Sequence, residues 1–150
     1  MRAVVRRRRA KQHGGVQAGK LAQQQASDAQ VKEFGEHMVK DHGRMLQEQE
    51  KMASAKGVDM PKQPKKEHQA AIKKLQKAEG EQFDTAFMSQ MVKDHENSLK
   101  QVRQAAKNAK DPELKAMAEK AAPVIEKHLQ MAKQLSDRAA AGATSGKKSR

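Results

Sequence analysis

The sequence has no cysteine, no tryptophan and no tyrosine, and only three phenylalanines among its 150 residues. Without cysteine, the chain cannot form a disulfide scaffold, a zinc ribbon or a thiol-based active site. No run approaches the ~18 apolar residues that a membrane-spanning helix needs. The β-branched and aromatic clusters that favour strands are almost missing, whereas alanine, lysine, glutamine and glutamate are abundant. The composition therefore predicts a soluble, mostly helical protein whose length suits one domain.

Positive charge is concentrated at the two ends of the chain. The formal net charge is +13, from 31 basic and 18 acidic residues. Residues 1–13 contain six of the basic residues and 139–150 contain three, with no acidic residue in either segment, so residues 14–138 carry only +4. We therefore expect a basic flexible arm over 1–13, a helical bundle over 14–138 and a basic disordered tail over 139–150. The alternative, which we do not favour, is that both ends contact nucleic-acid phosphates without sequence specificity.

Amphipathic periodicity predicts four long helices and one short helix. The four long segments are 16–26, 28–56, 81–108 and 111–138, and the short one is 65–78. Gly14 and Gly15 separate the basic arm from the first helix. Ser27 opens a capping box before the second helix, and Pro112 marks the start of the last. Pro123, inside the last helix, is expected to kink it.

The lengths of the connections predict the topology. Short turns join the first long helix to the second and the third to the fourth, which makes each pair an antiparallel hairpin. Residues 57–80 join the hairpins and can cross the ~42 Å length of a 28-residue helix. We therefore predict an all-α, ferritin-like four-helix bundle with one long crossover that contains a short helix. The first helix, about half as long as the second, would leave an apolar flank suited to a homodimer.

Three of the six histidines lie on the core stripes of three different helices: His42, His95 and His128. The pentapeptide Met-Val-Lys-Asp-His ends at His42 and again at His95, each 14 residues after the predicted start of its helix. In parallel helices the two rings would lie at the same height. His128 lies within about one turn of that level on an antiparallel helix. The spacing predicts that three imidazoles meet inside the bundle.

Imidazole is a common ligand of zinc, copper and nickel, and three histidines with an open fourth position form a reasonable metal site. Met38, Met91 and Met131 flank the histidines, and thioethers would favour copper. Two hypotheses stay open. In one, a non-catalytic bundle binds a divalent transition metal through the three histidines. In the other, the protein is a structural or stress-associated interaction module without metal, whose histidines form a satisfied polar core and whose methionines pack.

Catalytic patterns are missing from the sequence. A di-iron carboxylate bundle needs Glu-x-x-His motifs, but the residues three before the core histidines are Val39, Val92 and Ile125. The sequence has no glycine-rich phosphate loop and no nucleophile elbow. We therefore expect neither di-iron chemistry nor catalytic residues.

An ordered set of short motifs runs through residues 14–136. They are Gly19-Lys20-Leu21-Ala22, Val31-Lys32-Glu33-Phe34, the two Met-Val-Lys-Asp-His pentapeptides, Phe83-Asp84, and Pro123 followed by His128-Leu129. Together they resemble the bacterial family known as domain of unknown function 4142. The resemblance implies a ferritin-like helical bundle and a place in the periplasm or cell envelope, but no established activity. The chain departs from the family at Gly15, Val16 and Gln17, where members usually have an acidic opening to the first helix, and it shows no intact signal peptide.

Overall fold

The computed structural model describes residues 2–59, 63–64 and 66–145, with side chains from residue 13 to residue 142 within these ranges. Its regular structure consists of five helices: α1 (Arg2–Gln25), α2 (Ala29–Ala55), α3 (Lys66–Leu75), α4 (Gly80–Asn108) and α5 (Pro112–Ser145). No strand occurs in the part of the chain described, which confirms the predicted all-α class. Among these helices, none combines the length and hydrophobicity that crossing a membrane requires. The chain divides into two compact units, unit 1 (Met1–Glu79) and unit 2 (Gly80–Arg150).

Unit 1 is built on the hairpin of α1 and α2, and α3 also packs on α1. The predicted capping at the start of α2 exists, but Asp28 rather than Ser27 is the N-cap, and its Oδ1 accepts a hydrogen bond from the Gln30 amide at 2.7 Å. At the other end, Gly57 has a φ of 60° and follows the last turn. The Val58 amide then donates to the Ala53 carbonyl at 2.9 Å, closing the helix as a Schellman motif does.

The α1–α2 interface contains a direct contact between the two backbones. A Cβ atom added at Gly19 would lie 2.6 Å from the Gly35 carbonyl oxygen, and one added at Gly35 would lie 2.7 Å from the Gly19 carbonyl oxygen. Glycine permits this approach because it has no side chain. Around the contact, α1 buries a small-residue face that includes Ala18 and Ala22.

The predicted start of α1 is wrong. The helix begins at Arg2 rather than at residue 16 and continues through Gly14 and Gly15. Two internal glycines cost roughly 1 kcal/mol each relative to alanine, but side chains of unit 1 pack where their Cβ atoms would lie. With 24 residues against 27 in α2, α1 is not a half-length helix. The sequence-based reason for a homodimer is thereby removed, although the homodimer itself stays an untested prediction.

Unit 2 is the hairpin of α4 and α5, joined by residues 109–111. Asp111 caps α5 as predicted, since its Oδ1 accepts from the Leu114 amide at 3.0 Å. In its core, Phe83 and Phe87 are fully buried and stacked with ring centroids 5.4 Å apart. On its surface, Arg103 pairs with Glu126 at 2.8 Å, and a second ion pair joins the same two helices.

Helix α5 extends further than predicted. It is continuous through Pro123 and ends at Ser145 rather than at residue 138. The predicted boundaries of the basic arm and tail, at residues 13 and 139, therefore lie inside helices. Residue 1 and residues 146–150 fall outside the described part of the chain.

Candidate functional site

Unit 2 brings two of the three predicted site residues together. His95 of α4 is 3% exposed and His128 of α5 is 1% exposed. Their ring centroids lie 5.5 Å apart with the planes at 70°, an edge-on arrangement. One ring nitrogen of His95 lies within 4.8 Å of one ring nitrogen of His128. Counting residues from the turn between α4 and α5 predicted these two rings to lie within about one helical turn of each other.

The hydrogen bond of His95 fixes which of its nitrogens carries the proton. Its Nδ1 lies 2.7 Å from the backbone carbonyl oxygen of Met91, one turn earlier on α4. A carbonyl oxygen only accepts hydrogen bonds, so we assign the proton to Nδ1, which leaves a lone pair on Nε2 of the neutral ring. Histidines that bind metal commonly donate their other ring N–H to a carbonyl in this way.

Burial also sets the charge of His95. The pKa of this imidazole is lowered from 6.5 to about 4, chiefly by burial; the hydrogen bond to the Met91 carbonyl opposes the shift, and the nearby His128 contributes to it. Removing a cation from water is unfavourable, so the neutral form is stabilised in the folded protein. At neutral pH the ring is therefore in the neutral state that a metal ion requires, with one nitrogen free of a proton.

His42 lies in unit 1, on α2, and is 8% exposed. Its ring packs against α1 at Gly15. The prediction of a buried histidine on the core face of this helix is confirmed. That His42 meets the histidines of α4 and α5 stays a prediction from sequence.

The other histidines are half-buried. His37 lies 3.9 Å from Glu33 one turn earlier on α2. His68 of α3 packs at Gly14, and His13 lies near the start of the described side chains.

The methionines that flank the predicted site differ in burial. Met38 and Met91 are buried, whereas Met131 is half-buried. Buried methionine is an ordinary filler of helical cores, as the alternative hypothesis holds. The basic residues of 1–12 and 143–150 have no described side chains, so the nucleic-acid alternative lies outside the described structure.

Sequence reasoning missed two kinds of residue. The first is buried polar side chains, namely Gln49 on α2 and Asp84 on α4, each less than 5% exposed. The second is Gly15, which had the appearance of a linker residue. Its spacing of four from Gly19 was the available signal, because glycines at this spacing share one face of a helix and permit close approach.

Comparison with known proteins gives a family and a fold. The model of the family described as "Domain of unknown function (DUF4142)" matches residues 2–135. The structure is similar to the crystal structure of a candidate secreted DUF305 protein from Streptomyces coelicolor, with a TM-score of 0.78 and 13% sequence identity, covering 93% of this chain and 92% of that chain. At this identity the likeness concerns the fold alone. A search of curated proteins finds no match. Because the family model covers most of the chain, including all three core histidines, the chain belongs to the DUF4142 family.

Proposed function

We propose that this protein is a non-catalytic, ferritin-like four-helix bundle that binds a divalent transition metal through His42, His95 and His128. The observation that carries the proposal is the buried histidine pair of unit 2, with ring centroids 5.5 Å apart. Burying two imidazoles side by side is unfavourable unless their polar atoms are satisfied. One nitrogen of each ring lies within 4.8 Å of the other, so a single metal ion would bind both rings at once.

The geometry of the pair is compatible with metal ligation. Zinc–nitrogen bonds of 2.0–2.1 Å place two tetrahedral ligand nitrogens ~3.3 Å apart. The nearest pair of ring nitrogens lies within 4.8 Å, so small side-chain rotations would bring both to bonding distance. The carbonyl of Met91 already orients His95 and holds its proton on Nδ1.

His42 is the proposed third ligand, and its support comes from helix register. The observed helices place His42 13 residues after the start of α2 and His95 15 residues after the start of α4. In a bundle where α2 and α4 run parallel, this difference corresponds to ~3 Å along the axis. The fold likeness, which extends over 93% of the chain, supports a single bundle made from both hairpins.

The donor set indicates the class of metal. Imidazole nitrogens suit zinc, copper and nickel, and three of them leave one coordination position for water or a small ligand. The chain lacks the Glu-x-x-His motifs of di-iron carboxylate bundles. The proposed role is therefore metal binding without oxygen chemistry.

The test is metal binding by the full-length protein without a histidine tag. Titration calorimetry with Zn²⁺, Ni²⁺ and Cu²⁺ should show one site per chain. His95→Ala and His128→Ala should each weaken it at least ~10-fold, since each removes a ligand. His37→Ala is the matched control, because His37 lies on the same helix as His42 but is partly exposed and faces Glu33. Equal affinity in all four proteins would reject the assignment and favour a metal-independent polar core.

We also propose that the protein acts in the cell envelope. The resemblance to the DUF4142 family implies this location, and the similar Streptomyces coelicolor protein is described as a candidate secreted protein. Fractionation of the native cells, with a cytoplasmic marker as control, tests the proposal. Recovery with the cytoplasmic marker alone would contradict it.

A further inference from the structure

Gly15 lies within α1 directly against the ring of His42, and both residues belong to unit 1. A Cβ atom added at Gly15 would lie 2.7 Å from Cγ and 2.7 Å from Nδ1 of His42, and 3.0 Å from its Cδ2. Non-bonded carbon atoms do not approach so closely without a steep repulsive energy. The ring therefore occupies space that exists only because residue 15 has no side chain.

The backbone does not explain the glycine at this position. Among the described residues, positive φ values occur at Gly57 and Gly80, whereas Gly15 has ordinary helical geometry. Alanine would stabilise such a position by roughly 1 kcal/mol if space allowed it. The requirement for glycine is therefore steric, and the group that imposes it is the imidazole of His42.

We infer that Gly15 is a positioning residue for His42, holding the base of the ring so that its distal nitrogen, Nε2, is directed away from this part of α1. The purpose of this positioning rests on the proposed metal-binding function. The contact between Gly15 and His42 does not depend on that proposal. The three atoms nearest to the added Cβ are at the base of the ring. A side chain at residue 15 would therefore move the whole ring rather than only its tip.

Separating the helices to relieve such a clash would open a closely packed interface. One turn along α1, Gly19 and Gly35 bring the two backbones into contact, and Ala18 and Ala22 beside them are buried. Because opening this interface would expose buried apolar surface, we expect His42 to take up most of the displacement caused by a residue-15 side chain. Metal–ligand distances tolerate only about ±0.2 Å, so even a small displacement of a ligand ring weakens a site.

The chain offers two matched controls for a Gly15→Ala substitution. Gly43 is adjacent to His42 on α2, and a Cβ atom there would meet nothing within 4 Å. Gly14 is adjacent to Gly15 on α1, and its added Cβ would meet His68 at 3.3 Å instead of His42. All three variants make the same chemical change within a helix, but only Gly15→Ala encounters the candidate ligand.

The experiment compares the full-length wild-type protein with Gly15→Ala, Gly43→Ala and Gly14→Ala. Ring signals of ¹⁵N-labelled histidines are recorded without metal, and Zn²⁺ affinity is measured by calorimetry. We expect Gly15→Ala to shift the His42 ring signals and weaken Zn²⁺ binding at least ~10-fold. Gly43→Ala and Gly14→Ala should leave the His42 signals and the Zn²⁺ affinity within about twofold of wild type.

A folded Gly15→Ala protein with wild-type His42 signals would overturn the inference. If the His42 signals move but the wild-type protein does not bind Zn²⁺, Ni²⁺ or Cu²⁺, the positioning role is supported and the proposed metal function fails. If Gly15→Ala does not fold, the double variant Gly15→Ala/His42→Ala decides. Recovery of folding in the double variant supports direct steric coupling, and its failure to fold overturns the inference.

Discussion

Helices α1 and α2 of unit 1 meet through glycine, whereas helices α4 and α5 of unit 2 enclose large side chains. At Gly19 and Gly35 the two backbones of unit 1 touch. In unit 2, stacked Phe83 and Phe87 are fully buried, and ion pairs join the outer surfaces of the helices. The Gly19–Gly35 contact of unit 1 is therefore sensitive to added atoms, and the Phe83–Phe87 stack of unit 2 is sensitive to lost ones. The difference shows that a glycine within a helix can determine how closely two helices pack.

The largest expected effect is the loss of a core aromatic ring from unit 2. Phe87→Ala should reduce the free energy of unfolding by about 3–5 kcal/mol, because the removed ring leaves a cavity. Urea denaturation followed by circular dichroism measures the change. Phe87→Leu, which keeps most of the volume, should cost clearly less. Equal losses in both variants would show that cavity formation is not the cause.

The next effect concerns the protonation of His95 in the metal-free protein. Because burial lowers the pKa of His95 to about 4 in the folded state, the unfolded chain binds more protons between pH 4 and 6.5. Protonation of His95 therefore does not reduce the free energy of unfolding above pH 6.5. As the pH falls from 6.5 towards 4, it reduces the free energy of unfolding by up to about 3 kcal/mol. The same denaturation series on His95→Gln should lack this part of the slope. Identical pH profiles would show that the pKa of His95 is not lowered.

Adding one methyl group to the glycine contact of unit 1 should produce a smaller loss. Gly19→Ala would place a Cβ atom 2.6 Å from the Gly35 carbonyl oxygen, and overpacking of this kind costs about 1–3 kcal/mol. Gly43→Ala, where the added Cβ meets nothing, should instead raise the free energy of unfolding by up to ~1 kcal/mol. Thermal and urea denaturation measure both. If both variants change the free energy of unfolding in the same direction, the close backbone contact at Gly19 is not the cause of its effect.

The smallest effect is expected from the surface of unit 2. Lys133 and Glu96 lie 2.9 Å apart, but each side chain is about half exposed. A double-mutant cycle with Lys133→Ala and Glu96→Ala should give a coupling energy of about 0.5 kcal/mol. At 1 M salt the coupling should disappear, because screening acts within ~3 Å. Coupling that survives high salt would indicate a contribution other than charge.

Both long central helices could be predicted closely from sequence. Both ends of α2 and the start of α4 differ from the predicted bounds by one residue, and the end of α4 is as predicted. Each has an apolar stripe with a 3.6-residue period and a recognisable end, which local chemistry determines. The start of α1 could not be predicted in this way, since Gly14 and Gly15 are poor helix formers when considered alone. In the folded protein, histidine side chains pack where the Cβ atoms of these two residues would lie.

The candidate site likewise has features that follow from local sequence and features that only the folded structure provides. The sequence by itself determined the helical class, the two hairpins and the placement of His95 and His128 within about one helical turn of each other, because helical rise and a short turn are local properties. The tertiary structure alone decided that Gly15 faces His42 and that the pKa of His95 is lowered. Close approach and desolvation depend on residues brought together from distant positions in the chain, and no local pattern specifies them.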